Sequence, residues 1–266
     1  MTTAIDGDTA DLLEFALEAA RLAGGMLLAD RPADLGVAAT KSSPTDVVTE
    51  MDTAAEKLIV EFLRARRPRD GFLGEEGGGE HGESGIRWVI DPIDGTVNYL
   101  YDLPAWCVSI AAEDAEGAVV GVVEVPTLRE TFHGVRGAGA FRNGVPVRAN
   151  AAVPMTGALV ATGFGYTVER RRRQAGVVQR MLPEVRDIRR YGSAAMDLCA
   201  VACGRVDAYY ERGLNPWDVA AGALIAREAG ARVEEIRAEA DGSNLTVAAA
   251  PELYGQLEAA LAALDA

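Results

Sequence analysis

The chain has 266 residues, of which 49% are hydrophobic and 25% charged, enough to bury the core of one domain or of two small halves sharing an interface. Its 26 basic and 40 acidic residues leave a formal net charge of −14, which repels nucleic acid and argues against binding through phosphate neutralisation. No apolar run reaches bilayer length, and the opening MTTAIDGDTADLLEF is acidic where a secretory signal is basic and then apolar, so a cytoplasmic protein without a membrane partner is expected.

Apolar residues recur at helical spacing from Asp8 to Asp30, including Leu12, Phe15, Ala20 and Leu27, and predict a first helix capped by Asp8 or Thr9. A second helix is predicted from Asp52 to Arg66, with Ala55, Leu58, Ile59, Phe62 and Leu63 on one face and Asp52 as its cap. The polar segment KSSPTDVVTEMD leads into it, and EEGGGEHGESG further on reads as flexible. From Trp88 to Val147 the runs WVI, WCVSIAAE, AVVGVVEVP, ETFHGV and AFRNGVPV alternate with turn signals at Asp114 to Gly117 and Asn143-Gly144, predicting an antiparallel sheet.

Beyond Pro154 strands and helices alternate. Strands are expected at ALVAT, DIRR, VDAYYE, Arg232 to Glu234 and Leu245 to Ala249. Helices are expected at Arg170 to Leu182, Ala194 to Cys203, Trp217 to Ala229 and Pro251 to Leu264. The chain therefore divides into an α+β half, residues 1–153, and an α/β half, residues 154–266. No Pro/Ser-rich linker separates them, so they are expected to pack as one continuous unit.

Cys107, Cys199 and Cys203 are odd in number and lack metal-ligand spacing, and Cys199 and Cys203 sit one helical turn apart as core thiols. A zinc site is not expected. The two histidines, His81 and His133, lie in unrelated contexts, so His-dependent nucleophilic catalysis has little support.

The chemistry concentrates in WVIDPIDGTVNY, Trp88 to Tyr99. Asp91 and Asp94 share one tight turn, and two like charges about 4 Å apart repel by roughly 4 kcal/mol at an effective dielectric near 20. A proton or a cation must sit between them. Pro92 fixes the backbone, Gly95 permits a sharp turn close to a ligand, and Thr96 adds a hydroxyl beside free amides. Such a turn suits a hard metal on its acids and an anion on its N–H groups. Glu75 in FLGEE and Asp218 in NPWDVA stand at comparable strand ends or turn entries and are expected to converge on the same point.

These residues carry a family resemblance: KSSPTDVVTEMD, GEE, DPIDGTVNY, RYGSAA, YYERG and NPWDVAAG occur in the order and spacing of the inositol monophosphatases. The resemblance covers nearly the whole chain and implies a layered α-β-α-β-α sandwich of the sugar phosphatase type, usually homodimeric. It implies that Glu75, Asp91 and the carbonyl of Ile93 bind a first magnesium ion, and that Asp91, Asp94 and Asp218 bind a second. A weaker third ion would use Glu75 and water. Thr96 and Asp52 would orient the attacking water, and Glu75 would help deprotonate it. The amides of Gly95 and Thr96 would cradle the phosphate, while Asp94, Gly192, Ser193, Ala194 and Glu211 would meet the substrate hydroxyls.

Lys41 matches a loop that family members place near the metals. Tyr99 stands where Phe is common, and Asn215-Pro216 fall where the family varies. The expected reaction is lithium-sensitive, magnesium-dependent hydrolysis of inositol-1-phosphate or a close polyol phosphate. The alternatives are histidinol phosphate, fructose 1,6-bisphosphate or 3′-phosphoadenosine 5′-phosphate as substrate, and a regulatory role through a protein partner. The basic run Arg170 to Arg173 reads as a solvated helix face or subunit contact, or as a grip on a second anionic group. The segment from Ala105 to Val125 is the expected dimer contact.

Overall fold

The computed structural model describes residues 6–41, 47–237 and 243–264. Helix α1 (Gly7–Ala29) is capped by Asp6, whose side chain accepts the Thr9 amide at 2.8 Å, two positions before the predicted Asp8. Two short strands, β1 (Ala39–Thr40) and β2 (Val47–Val48), pair antiparallel. Within KSSPTDVVTEMD, Ser42 to Asp46 lie outside the described residues. Helix α2 (Glu50–Arg66) is capped by Thr49, and Asp52 is the third helical residue of a capping box, returning its side chain to the Thr49 amide.

An eight-stranded sheet follows. It is built from β3 (Gly71–Gly74), β4 (Gly78–Glu80), β5 (Arg87–Asp94), β6 (Cys107–Asp114), β7 (Gly117–Val125), β8 (Glu130–Val135), β9 (Gly139–Arg142) and β10 (Val145–Pro146). Its order is β10-β9-β8-β7-β6-β5-β3-β4. From β5 to β10 it is the predicted antiparallel meander, with Asn143 and Gly144 at φ 50° and 76° in the last hairpin turn. The stretch expected to be flexible instead holds β4, paired antiparallel to β3, while β3 runs parallel to β5. Helix α3 (Thr96–Leu100) is a single short turn beginning at the end of β5.

The second half supplies β11 (Leu159–Thr162), α4 (Val168–Met181), β12 (Asp187–Arg189), α5 (Ala194–Ala202), β13 (Ala208–Arg212), α6 (Pro216–Glu228), β14 (Arg232–Arg237), β15 (Asn244–Ala249) and α7 (Pro251–Ala263). Its five strands run in the order β12-β11-β13-β15-β14.

Three apolar layers bind these elements into an α-β-α-β-α sandwich. Leu12, Ala16, Leu27, Ile59 and Leu63 of α1 and α2 pack on Trp88, Ile90, Val108 and Ile110 of the large sheet. Its other face, with Val89, Ala111 and Val123, meets Leu198, Ala221 and Ile225 of α5 and α6, which also cover Ala161, Tyr209 and Ala248 of the small sheet. The far side of the small sheet, Val160, Ala208, Tyr210 and Val247, is closed by Val177 and Met181 of α4 and Leu257 of α7.

The alternation along β13 sends Ala208 and Tyr210 outward and Tyr209 inward, so Glu211 shares the inward side with Tyr209. Most of the segment from Ala105 to Val125 is buried between helical layers, from Trp106 to Ala112 and again from Val120 to Val123. Among its residues only Ala115 and Glu116, in the hairpin from Glu113 to Val119, are exposed. No helix among the described residues is long and apolar enough to cross a membrane.

Candidate active site

A regular strand points residues three apart to opposite faces, so Asp91 and Asp94 need an irregularity to share a side. The register of β5 against β6 provides it: Asp91 pairs with Ser109 and Asp94 with Cys107, three steps against two. This bulge turns both carboxylates the same way. Glu75 follows β3, whose last residue pairs with Ile90, and its amide donates to the Ile90 carbonyl at 3.2 Å. That places Glu75 beside Asp91, near enough for its charge to press on the Asp91 carboxyl.

Asp218 comes from the first turn of α6, where Pro216 opens the helix and the Asp218 carboxylate accepts the Asn215 amide at 2.7 Å. One carboxylate oxygen each of Asp91, Asp94 and Asp218 lies within 4.8 Å of the others. Glu75, Asp91, Asp94 and Asp218, far apart in sequence, thus meet where β3 and β5 end and α6 begins.

Their protonation reports the crowding. Burial, then the charges of Glu75, Asp94 and Asp218, push the Asp91 carboxyl well above its usual range. Burial and then Asp94 do the same to Asp218. Asp94 and Glu75 are also raised by burial, opposed by Ser193 and the α5 amides in one case and by Lys41 in the other. A buried pocket of oxygen-only donors that holds its acids above their normal range is matched by a hard divalent cation.

Asp94 is held by the N-terminus of α5: Oδ2 accepts the Ser193 hydroxyl and the Ala195 amide, both at 2.7 Å, and Oδ1 accepts the Ala194 amide at 3.3 Å. Ser193 also caps α5. The hydroxyl expected to meet substrate is therefore directed at Asp94. Gly192 (φ 88°) and Gly95 (φ 101°) adopt backbone conformations favoured by glycine, and a Cβ on Gly95 would stand 2.9 Å from the Ala105 carbonyl. Asn98 stitches the two segments together, donating to the Ala105 carbonyl at 2.6 Å and the Tyr191 carbonyl at 2.8 Å.

On the other wall the Thr96 hydroxyl lies 2.9 Å from Asp52 Oδ1 and 3.0 Å from the Ile93 carbonyl. Burial lifts the Asp52 carboxyl to about 6, against the hydrogen bonds from Thr49 and Thr96. Lys41 reaches Glu75 at 2.8 Å and Glu76 at 2.6 Å. Burial disfavours its charge, but the two acids prevail and raise its pKa.

Glu211 lies at the end of β13, against Gly163: a Cβ there would fall 1.8 Å from the Glu211 carboxylate. It accepts the Tyr209 hydroxyl at 2.8 Å, and burial lifts it to about 7, opposed by Tyr209 and Arg190. Of the basic run, Arg170 packs its guanidinium over Gly213, on the Glu211 side, while Arg173 pairs with Glu169 on the exposed face of α4. Two further buried acids stand beside the site. Glu56 grips the loop after Glu75, and Asp197 of α5 has neither oxygen partnered. A D-x-x-x-E spacing starting at Asp52 signals the first; nothing local signals the second.

Comparison with known proteins agrees with this geometry. Residues 8–265 match the model of the inositol monophosphatase family. The chain is 47% identical over 236 residues to the inositol-1-monophosphatase SuhB of Mycobacterium tuberculosis H37Rv, covering 85% of this chain and 81% of that protein. It is 39% identical over 226 residues to the Nus factor SuhB of Escherichia coli K12, covering 84% and 85%. The crystal structure of the extragenic suppressor protein suhB from Bartonella henselae superposes with a TM-score of 0.86 at 35% identity, over 94% of this chain and 98% of that one. With the fold, the acidic centre and these likenesses in agreement, the chain belongs to the inositol monophosphatase family, metal-dependent phosphoric monoester hydrolases.

Proposed function

We propose that the chain hydrolyses inositol-1-phosphate, or a close polyol phosphate monoester, to the free alcohol and inorganic phosphate with two or three magnesium ions. The carrying observation is the buried meeting of Asp91, Asp94 and Asp218 oxygens within 4.8 Å, beside the Thr96 and Asp52 pair. Glu75, Asp91 and the Ile93 carbonyl would hold one ion, and Asp91, Asp94 and Asp218 another. Bound there, magnesium would cancel the charge of the dianionic ester and lower the pKa of water.

The chain's own groups do the rest. Thr96 has one hydroxyl proton and two acceptors in reach, and an ionised Asp52 attracts it more strongly than the neutral Ile93 carbonyl. The lone pairs of Thr96 are then free to accept a hydrogen bond from the attacking water and aim it, while Glu75 would take the water's proton as the base. The amides of Gly95 and Thr96 donate to no other group among the described residues and open α3 toward the phosphate. Cys107 is no nucleophile, since burial and then Asp94 hold its thiol well above the usual range. Water attacks directly, without a phosphoenzyme. Gly192, Ser193, Ala194 and Glu211 border the side where the polyol would sit.

The test is phosphate release from inositol-1-phosphate, histidinol phosphate, fructose 1,6-bisphosphate and 3′-phosphoadenosine 5′-phosphate, with and without magnesium. Preference for inositol-1-phosphate supports the assignment; strong preference for histidinol phosphate replaces the substrate and keeps the mechanism. Lithium inhibition belongs to the same reading, and indifference to lithium at millimolar level would count against the subfamily.

A second reading comes from the Escherichia coli relative named a Nus factor: a regulatory role on the same fold through a protein partner. Asp94→Asn separates the two, because it removes hydrolysis, whereas a cellular phenotype that survives it favours binding. A homodimer is also part of the proposal. The exposed Tyr101, Leu103 and Leu128 lie near the end of α1, where Arg31 holds the Tyr99 carbonyl at 3.2 Å and Thr127 the Pro104 carbonyl at 2.6 Å. A second copy would cover them, and light scattering in solution tests it. We place the protein in the cytoplasm, in keeping with its three free cysteines.

A further inference from the structure

Helix α2 presents two acids one turn apart on a single face, Asp52 and Glu56. Asp52 turns to Thr49 and Thr96. Glu56 reaches the opposite wall: its Oε2 accepts the Glu76 amide at 2.9 Å and its Oε1 the Gly77 amide at 2.6 Å. The residue is only 6% exposed.

The turn is shaped around this carboxylate. A Cβ on Gly74 would fall 2.5 Å from the carboxylate carbon and both oxygens of Glu56, and one on Gly77 would fall 2.7 Å from Oε1. The sequence Gly74-Glu75-Glu76-Gly77 thus keeps bare backbone at both ends where Glu56 enters. Between those ends stands Glu75, whose carboxylate accepts the Lys41 ammonium at 2.8 Å and whose charge presses on the Asp91 carboxyl.

We infer that Glu56 is a positioning residue for the metal centre, clamping the two amides that follow Glu75 and thereby fixing where the Glu75 carboxylate stands. The inference rests on the proposed role of Glu75 as a metal ligand. Because Asp52 and Glu56 rise from one rigid helix, about 6 Å apart along its axis, α2 also sets the spacing between the Thr96 wall and the Glu75 wall. A carboxylate bonded to two consecutive amides makes charge-assisted bonds to backbone that cannot rotate away, which suits a fixed mount.

The test is magnesium binding by calorimetry to the full chain, without substrate, for the wild type, Glu56→Gln, Gly77→Ala and Glu75→Gln. Glu56→Gln turns an NH2 group toward one of the two amides, and Gly77→Ala pushes on the carboxylate from the other side. Each should weaken magnesium binding about 10-fold or more, as loss of a ligand's supporting partner does. Should Glu56→Gln fail to fold, Gly77→Ala reads the same contact. If Glu75→Gln loses magnesium while Glu56→Gln or Gly77→Ala binds it as wild type does, the positioning role is wrong and the metal site stands. If Glu75→Gln itself binds as wild type does, the ligand assignment fails and the inference with it.

Discussion

Thr96 and Asp52 stand 2.9 Å apart, hydroxyl against carboxylate, joining the turn after β5 to the first turn of α2 across 44 positions of sequence. The second Asp52 oxygen is already engaged by the Thr49 amide at 2.8 Å and by the Thr49 hydroxyl. The Thr96 proton therefore has one charged acceptor, held in place by a helix cap.

Asp52→Asn and Thr96→Val should each lower kcat by about 10²- to 10⁴-fold, the usual range for a positioned proton-transfer group, with little change in KM. The double variant should be scarcely worse than either single one, since the two act as a unit. Steady-state kinetics on all three decides this. The Asp52 carboxyl is lifted to about 6 by burial, so kcat should fall as pH drops through that value, when the neutral acid no longer outcompetes the Ile93 carbonyl for the Thr96 hydrogen.

Glu211 predicts a separate pH dependence. Its carboxyl, lifted by burial to about 7, accepts hydrogen bonds on both oxygens as a full charge only above that pH. The KM for a polyol phosphate should therefore rise as pH falls from about 8 to 6, and Glu211→Gln should flatten this profile by removing the titrating group. A KM profile for Glu211→Gln that still bends near neutrality would assign the effect elsewhere.

How far the sequence leads differs from element to element. Helices α6 and α7 and the hairpins from β5 to β10 are legible because their apolar residues keep a 3.6- or 2-residue period between clear turn signals. Strand β4 is not: Gly78, Gly79 and Glu80 are all exposed and carry no alternation, and pairing with β3 alone defines them. Helix α3 is too short to show a period. The crowding of Asp91 and Asp94 is legible because like charges in one turn demand an explanation. Glu56 shows only its spacing from Asp52, while Asn98 and Asp197 sit in an ordinary local context and acquire their surroundings when distant segments close on them. The same holds for Ser193, whose hydroxyl the fold directs to Asp94, 99 positions away.

Lys41 places a positive charge on Glu75 and Glu76 at 2.8 and 2.6 Å, with its side chain 30% exposed. An ammonium on a proposed metal ligand competes with a cation for the same oxygens. Lys41→Ala should lower the magnesium concentration needed for half-maximal activity severalfold, and Lys41→Glu should not abolish turnover. A higher magnesium requirement in Lys41→Ala would show instead that the lysine organises Glu75 for the ion.

Asp197 offers the clearest test of stability against pH. It is 1% exposed within α5, and neither carboxylate oxygen has a hydrogen-bond partner. Burial, then the charges of Glu211 and Asp94, hold its carboxyl well above the usual range. The unfolded chain returns it to a pKa near 3.9. Between the two values the folded state binds a proton that the unfolded state lacks, so stability falls as pH rises across that window. At neutral pH the group is a net cost of folding. Asp197→Asn keeps the shape and removes the proton linkage, so it should raise Tm at pH 7 or 8 and change it little near pH 4. For a chain of this size each kcal/mol gained corresponds to about 2–4 °C. Equal shifts at both pH values, or a lower Tm at pH 8, would mean that the Asp197 charge is met by a partner in solution.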